Sequence, residues 1–258
     1  MFIQPNRTRA KLQRGEPAFG VISISADPLL AELCGLAGFD YYMLDAEHGL
    51  FDPSQAVNVV RACERVGLTP LVRLGPKDPK LVLAYLDAGM MGVMMPGLTT
   101  VEEVRMLVEA VKYPPLGRRG IGLARAAAYM AHRGEAPAYI ARANAETLVI
   151  LQFEEPGLID GLPALLRVPH VDAVMIGPRD LALAMGFADG PDHPEVQAMM
   201  ARAIACGLAA GVVVGTTAAT REAAQAEIAR GCRLVLAAMP TLFLDAARRF
   251  LPEPPTAA

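Results

Sequence analysis

The segments Leu148-Val-Ile-Leu-Gln-Phe-Glu-Glu155 and Ala173-Val-Met-Ile-Gly-Pro-Arg-Asp180 each run from an apolar stretch straight into acidic residues. Short apolar runs bounded by turn signals read as buried strands, so Glu154 and Asp180 fall just past two strand ends. The same pattern recurs outward in both directions. Strand-like runs lie at 19–24, 41–45, 70–74, 92–95, 148–153, 173–176, 210–214 and 234–238. Helical stretches lie between them or follow them at 29–37, 54–66, 79–88, 101–112, 136–144, 161–166, 194–206, 220–230 and 241–249. Gly38, Gly67, Gly89, Gly207 and Gly231 sit where a helix has to stop before a strand begins. Eight strands alternating with helices close most naturally into an α/β (β/α)8 TIM barrel, expected here as a single domain over residues 1–258 with a frayed tail at 251–258. One segment breaks the rhythm, from Tyr113 to about Gly134, and is rich in glycine and arginine. Long loops of this kind are often functional.

With 258 residues, 53% hydrophobic and 20% charged, the chain can bury a large core. A formal net charge of -3 offers no basic face for a run of phosphates, so no nucleic-acid partner is expected. The longest nearly uncharged apolar stretch, 203–215, is too short to span a bilayer and is interrupted by Gly207 and Gly211, so no membrane partner is expected either. The first fifteen residues lack an apolar signal region, which leads to the expectation of a cytoplasmic protein. Cys34, Cys63, Cys206 and Cys232 are scattered singly and read as small core residues rather than metal or redox ligands.

In a barrel of this kind the chemistry gathers at the C-terminal ends of the strands, where the loops form a mouth over a packed interior. There the sequence places Asp45, Glu47 and His48, then Arg73, then Gln152, Glu154 and Glu155, then Asp180 after Gly177-Pro178. Two carboxylates without neighbouring cysteines make a hard oxygen site that suits magnesium or manganese and leaves positions for water and substrate. A 2-oxo acid could fill two of those positions, its carbonyl polarised and the enolate left by carbon–carbon cleavage held in place. Arg73 would add a permanent positive charge beside that oxygen. His48 is the natural base for the substrate hydroxyl, with Asp87 or Asp45 as candidates to orient it. Taken singly each residue has a plainer reading: a lone histidine is more often structural, and an acidic residue here could simply cap the next helix. Their coincidence at one end of successive strands favours chemistry. His132 could approach the mouth but reads better as a surface residue, and His170 and His193 read as turn residues. Lys11, Lys77, Lys80 and Lys112 all lie outside the strands, which disfavours a Schiff-base route.

The ordered set resembles the HpcH/HpaI family of class II pyruvate aldolases, typified by 4-hydroxy-2-oxoheptanedioate and 2-dehydro-3-deoxyglucarate aldolases. The resemblance is carried by Ala-Gly-Phe-Asp-Tyr-Tyr-Met-Leu-Asp-Ala-Glu-His at 37–48, Val-Arg at 72–73, Leu-Asp-Ala-Gly at 86–89 and Tyr-Pro-Pro-Leu-Gly-Arg-Arg-Gly at 113–120. Gln-Phe-Glu at 152–154, Ile-Gly-Pro-Arg-Asp-Leu at 176–181 and His-Pro-Glu-Val-Gln at 193–197 continue it. It implies a homohexamer that exchanges helices between subunits, and a divalent ion (magnesium, manganese or cobalt) held at Glu154 and Asp180. It further implies a His48–Asp87 catalytic dyad, Arg73 on the enolate, Gln152 near metal and substrate, and the backbone of Gly177, Pro178 and Arg179 receiving the pyruvate carboxylate. The implied reaction cleaves 4-hydroxy-2-oxo acids to pyruvate, or hydroxypyruvate, and an aldehyde. Arg179 departs from the small residue usual at its position, and Gln-Phe-Glu-Glu-Pro departs from Gln-Ile-Glu-Thr or Gln-Ile-Glu-Ser. Two alternatives stand beside this reading: a coenzyme A-thioester lyase of the citrate-lyase β or malyl type, and a barrel that binds an oxo acid without turning it over.

Overall fold

Eight parallel strands pair in chain order and close on themselves: β1 (Ala18–Ser23), β2 (Tyr41–Asp45), β3 (Thr69–Arg73), β4 (Gly92–Met95), β5 (Leu148–Phe153), β6 (Ala173–Ile176), β7 (Val213–Thr217) and β8 (Leu234–Ala238), with β8 hydrogen-bonded back to β1. This is the expected (β/α)8 barrel. The computed structural model describes residues 4–131 and 133–252. Around the barrel run α1 (Arg7–Gln13), α2 (Pro28–Leu36), α3 (Pro53–Val66), α4 (Pro79–Ala88), α5 (Val101–Val111), α6 (Ala136–Glu146), α7 (Leu162–Leu166), α8 (Pro178–Ala184), α9 (Pro194–Ala210), α10 (Arg221–Ala229) and α11 (Met239–Phe250).

An Asp-Pro pair starts three successive helices. The side chains of Asp27, Asp52 and Asp78 accept from the backbone N–H groups of Leu29, Ser54 and Lys80, while Pro28, Pro53 and Pro79 occupy a position where no N–H is missed. Each of these caps stands where the chain leaves a strand end at the mouth, so capping also fixes how the mouth loops depart.

Side chains alternate between two apolar layers. Tyr41, Met43, Leu71, Met94, Leu148, Ile150, Met175, Leu234 and Leu236 fill the barrel interior, closed from below by Leu12 of α1. Tyr42, Leu44, Val72, Val93, Val149, Leu151 and Val174 face outward onto the helices. Consecutive residues of β2 are thus buried on both faces, as a parallel sheet requires. Gly20 on β1 makes room for the Tyr41 ring, because a Cβ there would stand 2.2 Å from the ring edge. The Tyr41 hydroxyl in turn donates to the Val235 carbonyl at 2.8 Å across the interior. The centre of the barrel is packed rather than hollow, which leaves its mouth as the place for a ligand.

The structure departs from the sequence reading in four places. The polar N-terminal segment folds as α1 across the bottom of the barrel, pinned by Arg9 to Asp172 at 2.5 Å and by Lys11 to Asp40 at 2.9 Å. A further short helix, α8, begins directly after β6. α9 runs on through Gly207 to Ala210, and β7 correspondingly begins at Val213 rather than 210. Gly207 is not a terminator: a Cβ there would stand 2.5 Å from Val214, so the glycine lets the helix lie close on the sheet. Gly211, with φ 72°, ends the helix in the left-handed conformation. Finally, the long segment after α5 packs at the end of the barrel opposite the mouth, where Arg125 reaches the Ala88 carbonyl at 3.3 Å and pairs with Glu64 of α3. His132 and the last residues of the tail, 253–258, lie outside the described residues. Among the described residues no helix is long and apolar enough to cross a membrane.

Candidate active site at the barrel mouth

The inward-facing register that carries Met43, Leu71 and Ile150 continues, two residues on, into Asp45, Arg73 and Gln152. Asp45 and Arg73 are direct partners across the β2–β3 ladder. Their side chains form a bidentate pair, Nε to Oδ1 at 2.9 Å and a terminal nitrogen to Oδ2 at 2.6 Å, and Asp45 is only 3% exposed. Breaking a buried pair of this kind by deleting one partner typically costs about 3–5 kcal/mol. Asp45 Oδ1 also accepts from the backbone N–H groups of Glu47 and His48, at 3.3 and 3.4 Å, and so holds the turn that presents them. Glu47 Oε2 lies 3.3 Å from Arg73 Nε and 3.9 Å from His48 Nε2. Burial pulls the Arg73 guanidinium down, but the bond to Asp45 and the charges of Asp45, Glu47 and Glu154 outweigh it and raise its pKa. The cation is therefore locked in place.

From β5, Gln152 is buried and its amide nitrogen donates a short hydrogen bond to Glu154 Oε2, while its Oε1 is buried without a partner. The Glu154 pKa is raised, first by burial and then by the charges of Asp180 and Glu47, against the opposing pull of Gln152 and Arg73. Gly177 forms the adjoining wall: a Cβ on it would stand 3.4 Å from Gln152 Nε2 and 3.5 Å from Glu154 Oε2. Asp180 is exposed in the first turn of α8, beside the exposed Arg179 and the half-buried Pro178. The structure thus gathers Asp45, Glu47, His48, Arg73, Gln152, Glu154, Gly177 and Asp180 at one rim.

Asp87 does not join them. It lies near the C-terminal end of α4, which leads into the start of β4, and so it stands at the opposite end of the barrel from His48. There Asp87 Oδ1 accepts from Arg119 at 3.1 Å, and Arg119 is itself buried against the Tyr113 ring, 4.5 Å from its centroid. The sequence reading missed two partnerships, Asp45 with Arg73 and Asp87 with Arg119. The first was accessible in principle, since both residues end adjacent strands. The second joins a helix to a long loop and leaves no local signal.

Among the described residues no three His, Cys, Asp or Glu side chains come together as a metal cluster. The donors present fit a more open site. Magnesium is commonly held by one or two carboxylates plus water and substrate, which Glu154 and Asp180 can supply. Two carboxylates whose proximity raises a pKa gain from a cation between them. A water bound to such a cation would also give the orphaned Gln152 Oε1 the donor it lacks.

Comparison with known proteins gives a consistent result. Residues 19–239 match the family described as HpcH/HpaI aldolase/citrate lyase. The chain is 37% identical over 210 residues to the 2-dehydro-3,6-dideoxy-6-sulfogluconate aldolase of Pseudomonas putida, covering 80% of this chain and 81% of that one. It is 34% identical over 246 residues to the 4-hydroxy-2-oxo-heptane-1,7-dioate aldolase of Shigella sonnei strain Ss046, covering 95% and 93%. The crystal structure of a HpcH/HpaI aldolase/citrate lyase family protein from Burkholderia cenocepacia J2315 superimposes with a TM-score of 0.87 at 33% identity, covering 95% of this chain and 97% of that one.

The raised Glu154 pKa has a stability consequence. The folded chain holds this proton more readily than the unfolded chain, so metal-free stability grows as pH falls through the folded pKa, and at neutral pH the ionised carboxylate is a cost. Glu154→Gln is expected to raise the Tm of the chelator-treated protein at pH 7 and to lack the Tm increase with manganese expected of the unsubstituted protein. A lowered Tm together with a preserved manganese response would contradict this assignment.

Proposed function

We propose, from the premise that this chain belongs to the HpcH/HpaI aldolase/citrate lyase family, that it is a divalent-metal-dependent aldolase cleaving 4-hydroxy-2-oxo acids to pyruvate or hydroxypyruvate and an aldehyde. The observation that carries the reading is the convergence of Glu154, Asp180, Arg73 and His48 on one rim above a packed barrel. A divalent ion held by Glu154 and Asp180 would supply charge to polarise the 2-oxo group of the substrate.

The chain's own groups do the rest. The N–H groups of Arg179 and Asp180 open α8 without a side-chain cap, while the Gly177 N–H is already spent on the Phe153 carbonyl at 3.0 Å. Those two free donors suit the substrate carboxylate. His48, whose side chain is 65% exposed, reaches the substrate from the open side and accepts the proton of the C4 hydroxyl. As the C3–C4 bond breaks, C4 leaves as the aldehyde and the bonding pair passes into the enolate. Arg73 holds the negative charge that develops there, and protonation at C3 then gives the free oxo acid.

Lys112 sharpens the contrast with a Schiff-base mechanism. Burial lowers its pKa to about 8, in the range a nucleophilic lysine needs. Yet it donates to the Asn144 and Thr147 carbonyls, at 2.9 and 2.5 Å, on the side of the barrel where β5 begins, away from the mouth. Its role is to tie the end of α5 to the start of β5.

A homohexamer fits the surface of α11, which buries none of its residues and exposes Phe243, Leu244 and Phe250 at 69%, 47% and 89%. Such an assembly would also give Asp87, which lies at the far end of its own barrel, a route to the His48 of a neighbour. The dyad forms in this reading between the His48 of one subunit and the Asp87 of a neighbour.

Two measurements test these assignments. Chelation should abolish pyruvate release, to be restored by manganese or magnesium, whereas borohydride added with substrate should leave the enzyme active; the reverse pair of results would indicate a Schiff base. Mixed assemblies of His48→Ala and Asp87→Asn subunits should recover part of the activity that each variant lacks alone, because some sites then combine an intact histidine with an intact aspartate. No recovery from demonstrably mixed assemblies would exclude the shared dyad.

A further inference from the structure

We propose that Arg179 selects aldehydes that carry a terminal anionic group, so that the favoured substrate has a carboxylate, sulfonate or phosphate at the end remote from its oxo acid. This inference rests on the aldolase reading above and specifies its acceptor.

Arg179 is placed between two residues that border the reacting centre. Gly177 lies against Gln152 and Glu154, and Asp180 is close enough to raise the Glu154 pKa. Consecutive Cα atoms are about 3.8 Å apart, so the Arg179 backbone is fixed beside the cluster while its side chain is exposed. The residue is exposed and forms no hydrogen bond or ion pair among the described residues.

Structural roles do not account for it. Arg179 occupies the first turn of α8, where the helix dipole and the unpaired N–H groups favour acidic residues and disfavour a cation. No side chain, Arg179 included, caps α8. The surrounding rim is rich in acid, with Glu47, Glu154, Glu155 and Asp180 near the mouth. Two neighbouring cations are committed: Arg73 to Asp45 and Glu47, and Lys77 to Glu103 at 2.6 Å. An anionic aldehyde entering this field is repelled unless it meets an uncommitted positive charge. Arg179 supplies one, permanently ionised and shaped to hold two oxygens of a carboxylate, sulfonate or phosphate.

The experiment measures kcat/KM for pyruvate addition to succinic semialdehyde, sulfoacetaldehyde and glyceraldehyde 3-phosphate, each relative to neutral propionaldehyde. Taking the ratio cancels any general effect of the substitution on the neighbouring donor site. The unsubstituted enzyme should favour at least one anionic acceptor. Arg179→Met should lower that ratio by about tenfold or more, chiefly through KM, as expected for losing a charge-assisted hydrogen bond to the acceptor. Arg179→Lys should retain most of the preference. Raising the salt should erode the ratio in the unsubstituted enzyme and leave it flat in Arg179→Met, since an exposed charge is screened. The anionic head whose ratio falls furthest identifies the natural terminus. Equal ratios in Arg179→Met and the unsubstituted enzyme would overturn the proposal while leaving the aldolase reading intact. Failure of the unsubstituted, metal-loaded enzyme to consume any acceptor, charged or neutral, would overturn the aldolase reading and this proposal with it.

Discussion

Along every strand of this barrel successive side chains face alternately into the interior and out to the helices, and the site depends on that alternation. Tyr41 and Met43 fill the interior from β2, Leu71 from β3 and Ile150 from β5. The next inward positions, Asp45, Arg73 and Gln152, lie above this packing, where the interior opens to the loops. A polar residue at such a position has no apolar neighbour above it and must find a partner across the mouth. Asp45 and Arg73 find each other, directly opposite on adjacent strands. That pair fixes the turn carrying Glu47 and His48 and sets a permanent positive charge facing the carboxylates of β5 and α8.

The electrostatics of the mouth follow from this fixed frame. Glu154 and Asp180 repel each other across a partly buried space, and Arg73 offsets only part of that because it is already shared with Asp45 and Glu47. A dication is the natural complement, and the one orphaned acceptor in the group, Gln152 Oε1, also calls for a donor. The opposite end of the barrel is different in kind. There Arg9, Lys11 and Lys112 are matched to Asp172, Asp40 and backbone carbonyls, an arrangement that closes the bottom.

How much of this was legible in the sequence depended on whether the signal was local. The strands at 41–45, 92–95, 148–153 and 173–176 stand where their apolar runs end, because a buried parallel strand is apolar on both faces and its limits are sharp. The residues of the rim were legible for the same reason, since each follows a strand end. β7 slipped because Gly207 looks like a helix stop, whereas its missing side chain serves close packing on Val214 and the true stop is Gly211. α1 was missed because its anchors, Asp40 and Asp172, are remote in sequence. Asp87 was singled out by resemblance, and its place at the far end of the barrel, beside Arg119, depends on chain direction in three dimensions.

The most direct measurement is anomalous scattering from crystals soaked in manganese. A single strong peak within bonding distance of both the Glu154 and the Asp180 carboxylates, lost in the Glu154→Gln protein, is the expected result. A peak elsewhere, or none at saturating manganese, would contradict the metal-centred reading of the mouth.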